Sequence, residues 1–279
     1  MSTVLATTDS APQPRGLGRV RTLLRDYVGA LRNWPTIGLL VAITHPSPLP
    51  PRNGLLFPPL RSMPITLRSR SGATIRCRLD EASPFVEIFV RDDYAVPGLD
   101  WAGLRTVVDV GANVGMATIW MSQRATRARF VAVEPAAQTA ARLRANIDRN
   151  GLAGRVEVVE AGVAAAAGRG SLVFDQGYTC HAFVEPGGGP VELRTLEEIL
   201  DSHGIGSVDL LKIDTEGGEY EILQGPVLQR VRAIAGEYHA FPDRDPAALM
   251  DRLREAGFEV WMEPQVRDHG RFHALRPRP

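Results

Sequence analysis

The stretch DLLKIDTEGGEYEIL (209–223) joins a strand-like apolar run to residues that could move a proton. Lys212 is the single lysine among the 32 lysine and arginine residues, and Asp214 and Glu216 follow it closely. Strand alternation places Lys212 and Asp214 on one face. Because a buried ammonium is unfavourable without a partner, we expect Lys212 to pair with Asp214 or another carboxylate. The alternative is that its ammonium extends to solvent.

Two predicted strands end in residues that suit acid–base chemistry. Asp214 ends one strand, and Glu237 and His239 end another. Asp214 is the leading candidate for a catalytic base, and His239 is a second candidate because its ordinary pKa lies near neutrality. Lys212 and Glu237 complete the predicted catalytic set. The alternatives are that Asp214 only caps a helix and that His239 is a surface or core residue.

The same carboxylates raise the question of a metal ion. Asp214, Glu216 and Glu237 could gather a divalent cation, since Mg²⁺ is often held by one or two carboxylates together with substrate and water. We expect no metal, and this trio is the alternative. Glu219 falls in a first helical turn, where a negative charge complements the helix dipole, so a structural role is predicted for it.

A glycine-rich turn, DVGANVG (109–115), follows the predicted strand 106–110. Glycines there let the backbone approach a ligand closely, and the next helix begins with free N–H groups. The following strand ends in Glu134, whose carboxylate could accept hydrogen bonds from both hydroxyls of a ribose, and Pro135 starts the next helix. Together the turn and the acidic strand end indicate an adenosine-containing ligand.

Two residues of the turn discriminate between NAD and a sulfonium donor such as S-adenosylmethionine. Asn113 occupies the position where a dinucleotide fingerprint has its middle glycine, facing the pyrophosphate. Asp109 would repel a pyrophosphate but suits the ammonium group of a methionine moiety. Both differences from the dinucleotide fingerprint favour the sulfonium donor. The alternatives are an NAD-dependent oxidoreductase and a donor-binding protein without activity.

Strands and helices alternate from Trp101 onward, which predicts a parallel sheet covered by helices on both faces, with ligands beyond the strands' carboxyl ends. The predicted strands are 106–110, 129–134, 156–160, 208–214 and 232–239, and the predicted helices are 115–125, 136–150, 196–203 and 217–229.

The preceding residues are predicted to form an extension of a different character. We expect a disordered tail at 1–14, an extension at 15–100 and the main domain at 101–279. Within the extension we predict an amphipathic helix at 15–34 that docks on the domain or contacts a membrane or partner, a proline-rich wrap at 35–64, a hairpin at 65–79 and a helix at 84–94.

Composition limits the partners. The net charge of +0 gives no reason to expect nucleic acid, and the longest early apolar run, 37–43, is far below the ~20 residues of a membrane span. Cys77 and Cys180 form no metal-ligand pattern, and the N-terminus lacks a secretory signal. We therefore expect a cytoplasmic protein, and leave a homodimer open.

With these residues in place, the segment 85–258 resembles the FkbM-type family of S-adenosylmethionine-dependent methyltransferases. The resemblance is carried by VVDVGANVG, FVAVEP, RLRANIDRNGL, LLKIDTEGGEYEILQG and IAGEYH, of which LKIDTEG is the most specific. It implies a Rossmann-like seven-stranded sheet of order 3-2-1-4-5-7-6 with strand 7 antiparallel, the last two strands coming from 257–275. It also implies O-methylation of a polyketide or sugar hydroxyl in secondary metabolism, with N- or carboxyl-methylation as the alternative.

The resemblance also assigns residues to the donor. Those implied to line its methionine part are Asp109, Gly111, Asn113 and Gly115. Glu134, followed by Pro135, would hold the ribose, and Glu160 to Gly162 would lie by the adenine. The insertion 171–194, which contains His181, would cover the acceptor, with His181 as a further base candidate.

Overall fold

The computed structural model describes residues 62–174, 182–263 and 269–277. The predicted tail, the amphipathic helix and nearly all of the proline-rich segment lie outside these residues, as does His181. In chain order the described elements are β1 (Pro64–Arg68), β2 (Thr74–Arg78), α1 (Pro84–Phe89), β3 (Thr106–Val110), α2 (Met116–Arg124), β4 (Arg129–Val133), α3 (Ala137–Arg149), β5 (Val156–Val159), β6 (Gly162–Val163), β7 (Gly168–Phe174), β8 (Ala182–Pro186), β9 (Val191–Arg194), α4 (Leu196–Ser202), β10 (Leu210–Ile213), α5 (Glu219–Ile222), β11 (Ala233–His239), α6 (Pro246–Glu255), β12 (Glu259–Glu263) and β13 (His269–Leu275).

The main sheet has seven strands in the order β5-β4-β3-β10-β11-β13-β12. Neighbouring strands are parallel from β5 to β11, and β13 is antiparallel to both of its neighbours. Numbered along the domain, this is the predicted order 3-2-1-4-5-7-6 with an antiparallel seventh strand, so the predicted α/β fold is confirmed. The predicted final hairpin supplies β12 and β13.

The sheet separates two hydrophobic cores, and alternation along each strand decides which core a side chain joins. Leu210 and Val107 belong to one core, while Leu211 and Val108 belong to the other. All four residues of β10 are buried, as expected for a central parallel strand covered on both faces. Lys212 lies on the same face of β10 as Leu210, so its side chain lies among apolar neighbours.

The register of the central strands brings the charged residues together. In the β3–β10 pair, Lys212 lies opposite Asp109, so their side chains point to the same face as direct neighbours. Asp214 follows the last residue of β10 and lies at the carboxyl edge of the sheet. This edge is where ligands bind in open α/β sheets.

The hairpin of β1 and β2 packs onto the main domain. Asn146 of α3 donates to the carbonyl of Arg76 at 2.9 Å and accepts from its N–H at 2.8 Å. Hairpin and α1 residues share one hydrophobic core with the sheet. The hairpin predicted at 65–79 is confirmed, and the helix predicted at 84–94 is present as the shorter α1. The domain boundary predicted at 101 stays a prediction.

The helices near the site differ from prediction in two places. The single helix predicted at 217–229 is wrong: α5 is short, and a separate 3₁₀ turn begins at Gly225. Gly225 has φ +70, outside the helical region, and Pro226 lacks the N–H that a continuous helix would use. Helix α6, which was not predicted, is capped by Asp245 through the N–H of Ala247. None of the helices within the described ranges reaches the length and apolar character that a membrane crossing requires.

A second sheet of four strands, in the order β6-β9-β7-β8, is inserted between β5 and α4. It contains the strand-like pieces predicted at 171–194. Residues of β6, β7 and β8 face the same cavity as the ends of the main sheet's strands. The insertion therefore forms one wall of the candidate site.

Candidate active site

A cavity of about 570 Å³ lies at the carboxyl ends of β3, β4 and β10, bounded on another side by the four-stranded sheet. Its walls mix polar groups of the strand ends with small and apolar residues such as Val133, Ala161 and Val163. It gathers seven of the residues predicted from sequence, namely Gly111, Asn113, Glu134, Pro135, Gly162, Asp214 and Glu216.

The glycine-rich turn is held in a conformation that few residues could adopt. Gly111 has φ +74, and a Cβ built on it would lie 1.8 Å from the backbone oxygen of Asp214. Only glycine allows this approach, so the turn after β3 and the loop after β10 are in direct contact. Asn113 also has a positive φ of 49°, where asparagine is among the tolerated residues.

Glu134 is positioned to accept hydrogen bonds from a ligand in the cavity. It is buried, and each of its carboxylate oxygens accepts one backbone N–H, from Asn113 and Ala136, both at 3.0 Å. Each oxygen retains further acceptor capacity for a hydroxyl. Burial raises the pKa of Glu134 to about 7, although the two N–H groups oppose this shift.

Lys212 is buried and paired. Its Nζ lies 3.3 Å from Oδ1 of Asp109 and 3.9 Å from Oδ2 of Asp214, and it donates to the carbonyl of Gly111 at 2.7 Å. Its side chain is 3% exposed, so the alternative of an ammonium extending to solvent is wrong. Burial alone would lower the pKa of Lys212, but Asp109, Asp214 and Glu237 outweigh it and raise the pKa.

Glu237 joins this cluster from β11. Its Oε1 accepts a hydrogen bond from the hydroxyl of Tyr94 at 3.1 Å, and the Tyr94 ring centroid lies 5.4 Å from Nζ of Lys212. Burial, reinforced by the charge of Asp214, raises the pKa of Glu237 to about 8. Burial also raises the pKa of Asp214, against the opposing effect of Lys212. A carboxyl with a raised pKa is a stronger base, which suits Asp214 for proton abstraction.

His239 lies between two carboxylates. Its Nε2 is 3.1 Å from Glu216, and its Nδ1 is 3.5 Å from Glu219. Burial would lower the pKa of His239, but the two carboxylates raise it to about 11. Both ring nitrogens face carboxylates. His239 does not reach the cavity wall in this arrangement, and the role of general base predicted for it stays a prediction.

Glu219 has a larger role than its predicted effect on the helix dipole. The side chain is fully buried, and its Oε1 accepts from the N–H and hydroxyl of Thr215 and from the N–H of Gly217. Burial opposes the charged form, but His239 and the backbone N–H of Thr215 prevail and lower the pKa of Glu219. Glu219 therefore organises the loop after β10.

The metal trio proposed from sequence also changes. Among the described residues, the group whose ligand atoms lie within 4.8 Å of one another consists of Asp214, Glu219 and His239. Glu216 and Glu237 do not belong to it. The sequence could not distinguish these carboxylates, because strand and loop geometry decides which of them converge.

Other predicted site residues lie away from the cavity wall. Asp109 is fully buried behind the turn, and Gly115 immediately precedes α2, where a Cβ would lie 2.6 Å from Cδ1 of Leu143. Glu160 turns outward to Arg144 at 3.1 Å. These three residues do not line the cavity, and the ligand contacts predicted for them stay predictions. Lys212, Glu237 and His239 lie behind Asp214, which is the predicted catalytic residue that lines the cavity.

Sequence reasoning missed several contributors. Tyr94 reaches the cluster from the segment before β3, and the loop before α6 contributes Phe241, Asp243 and Arg244 to the cavity wall. Arg244 donates to the carbonyl of Gly217 and so ties this loop to the one after β10. Their short-range sequence patterns are those of ordinary loops, and only the tertiary fold brings them to the site.

A family model described as "Methyltransferase FkbM domain" matches residues 109–260. The chain is 31% identical over 237 residues to the 31-O-demethyl-FK506 methyltransferase FkbM of Streptomyces tacrolimicus, a match that covers 71% of this chain and 90% of that protein. It is also 31% identical over 245 residues to the AMB antimetabolite synthetase AmbE of Pseudomonas aeruginosa. That match covers 69% of this chain but only 11% of AmbE.

Solved structures of methyltransferases resemble the chain more distantly. The human methyltransferase 10 domain containing protein aligns with a TM-score of 0.46 and 18% identity, over 74% of this chain and 89% of that one.

Proposed function

Because the chain belongs to the FkbM methyltransferase domain family, we propose that it transfers a methyl group from S-adenosylmethionine to a hydroxyl of a small molecule. Family membership favours methyl transfer over the oxidoreductase alternative. The observation that carries the proposal is the position of Asp214, a carboxylate with a raised pKa on the wall of a cavity that also contains Glu134 and the glycine-rich turn.

The residues of the cavity fit the donor. Glu134 can accept hydrogen bonds from two ribose hydroxyls, and Gly111 has no side chain to block the donor from the glycine-rich turn. Small and apolar residues, Ala161, Gly162 and Val163, follow β5 and suit the face of an adenine. When bound, S-adenosylmethionine supplies a methyl group activated by a sulfonium.

Asp214 is proposed to take the proton of the acceptor hydroxyl, so that its oxygen can form the new bond to carbon. Its side chain is 25% exposed, which leaves it accessible from the cavity. Lys212 is proposed to hold Asp214 in place from behind and to keep the turn closed through Gly111. Glu237 shares this cluster as a positioning residue.

The acceptor is proposed to be a polyketide or glycoside of secondary metabolism. One relative is named as a methyltransferase of 31-O-demethyl-FK506, which supports a hydroxyl acceptor. Leu172 and Val184 of the four-stranded sheet give the cavity an apolar wall against which such a molecule can pack. Neither nucleic acid nor a membrane is part of the proposal.

The transferred atom can be identified directly. The full chain is incubated with methyl-labelled S-adenosylmethionine and a panel of polyketides, glycosides, amines and carboxylic acids, and products are analysed by NMR. We expect labelled methyl ethers. Label on nitrogen or on a carboxyl group would replace the proposed reaction with N- or carboxyl-methylation.

Glu134→Gln is expected to weaken binding of S-adenosylhomocysteine by about 10–100-fold, because hydrogen bonds to a charged acceptor contribute about 1.5–3 kcal/mol. Wild-type affinity should fall by up to about tenfold per pH unit below the Glu134 pKa of about 7, since the carboxyl then takes up a proton. The variant should lack this pH dependence. Isothermal titration calorimetry measures both effects.

Glu160→Gln is the matched control, because Glu160 follows the neighbouring strand but pairs with Arg144 outside the cavity. Its donor affinity should equal that of the wild type. Equal loss in both variants would contradict a specific ribose contact by Glu134, and binding of NAD instead of S-adenosylhomocysteine would overturn the donor itself.

A further inference from the structure

We propose that Asp214, Glu219 and His239 form a binding site for a divalent transition-metal ion beside the cavity. One potential ligand atom from each of the three lies within 4.8 Å of the others. Ligands about 2.0–2.2 Å from one ion lie up to about 4.4 Å apart, so small side-chain rotations would complete the site. The trio combines one imidazole with two carboxylates, a common type of ligand set.

A second observation points to the same place. Among the described residues, buried atoms without a hydrogen-bond partner include one from each member of the trio: Oδ1 of Asp214, Oε2 of Glu219 and Nδ1 of His239. A buried polar atom without a partner is unfavourable, and such atoms are rare in folded proteins. Oε2 of the fully buried Glu219 has no hydrogen-bond partner, whereas its Oε1 accepts three hydrogen bonds.

The orientation of His239 also fits a ligand. Nε2 of the ring is directed at Glu216, 3.1 Å away, which leaves Nδ1 toward Glu219. Metal-binding histidines usually donate their second ring N–H to a carboxylate in this manner, which fixes the ring and makes it a better ligand. Glu216 would therefore position the imidazole without binding the ion itself.

Charge balance supports a cation. Lys212 and His239 pair with carboxylates of the cluster, and an ion on Nδ1 of His239 would replace the ring proton there. The carboxyl groups of the cluster are Asp109, Asp214, Glu216, Glu219 and, from the neighbouring strand β11, Glu237. Two guanidinium groups are also nearby: Arg244 pairs with Glu221, and Arg271, opposite Glu237 on β13, pairs with Asp93 and Glu263. A divalent ion would place its charge beside the carboxyl groups of Asp214 and Glu219.

The ligand types indicate which ion is suited. Imidazole favours transition metals over Mg²⁺, and carboxylates accept Mn²⁺ readily, so Mn²⁺ is a suitable probe. Asp214 also lines the cavity, so the ion would lie within reach of the acceptor oxygen and could lower the pKa of its hydroxyl. This role rests on the proposed function, whereas binding of the ion does not.

The test uses the full chain, stripped of metal with a chelator and titrated with Mn²⁺ alone. Electron paramagnetic resonance reports free Mn²⁺. We expect one ion per chain, and affinity at least about tenfold lower in Asp214→Asn and His239→Gln. Glu216→Gln should weaken binding by about 10–100-fold through loss of ring positioning. His203→Gln is the control, because His203 pairs with Glu157 at a separate site and its replacement should leave binding unchanged.

Circular dichroism establishes that each variant is folded before titration. Absence of saturable binding at millimolar Mn²⁺ would overturn the site, as would equal affinity in the wild type and both ligand variants. Because neither donor nor acceptor is present, such a result would leave the proposed methyl transfer standing. Conversely, a failure to bind S-adenosylhomocysteine would leave the proposed metal site standing.

Discussion

Lys212→Met is expected to lower the free energy of unfolding by about 3–5 kcal/mol, the range for breaking a buried ion pair by removing one partner. The methionine keeps most of the side-chain volume but leaves the fully buried Asp109 without its ammonium, 3.3 Å away. It also removes the hydrogen bond to the carbonyl of Gly111. Urea denaturation at neutral pH, followed by circular dichroism, gives the difference.

Arg144→Met is the matched control, since it breaks the half-exposed pair with Glu160 and should cost no more than about 1 kcal/mol. Adding Asp109→Asn to Lys212→Met should recover part of the loss, because the uncompensated charge is then removed. A loss in Lys212→Met as small as the control's would show that Asp109 finds another partner. Lys212→Arg should also lose activity, since a planar guanidinium does not fit the space of an ammonium.

Asp214→Asn is expected to reduce turnover by about 10²–10⁴-fold while leaving the affinity for S-adenosylhomocysteine within about threefold of the wild type. The amide keeps the shape of the side chain but cannot accept the hydroxyl proton. The contrast between lost turnover and retained donor binding separates a catalytic role from a structural one. Labelled methyl transfer and calorimetry on the same preparation measure the two quantities.

Asp251→Asn provides the comparison for this variant, because Asp251 is exposed on α6 and pairs only with nearby Arg254 in the contacts described. It should retain full turnover. Undiminished turnover in Asp214→Asn would assign the proton transfer to another group. Glu237 would then be the next residue to replace, given its pKa of about 8 and its place in the same cluster.

The fold was predictable because its signals are local. Buried parallel strands appear as continuous apolar runs, and turn residues mark their ends, so the strand positions and the carboxyl edge followed from the sequence. Gly111 and Glu134 were identified in the same way, since each directly follows or ends a strand. The strand order came from the family resemblance.

The details of the site were not predictable because they depend on contacts between distant segments. His239 belongs to β11, while the carboxylates that pair with it, Glu216 and Glu219, come from the loop after β10 and the start of α5, and no local sequence pattern indicates that these residues meet. Glu160 pairs with Arg144 of α3, a residue 16 positions earlier in the chain. Asp109 is hidden by the pairing of β3 with β10, which places Lys212 directly opposite it.

The burial of the chain's single ε-amine has a practical consequence. Amine-reactive reagents cannot modify Lys212 while β3 and β10 remain paired around it, since its side chain is 3% exposed. Its labelling rate, read by mass spectrometry of one peptide, therefore measures how often this edge of the sheet opens. A ligand that closes the edge would slow that rate, so the lone lysine is a built-in reporter of occupancy.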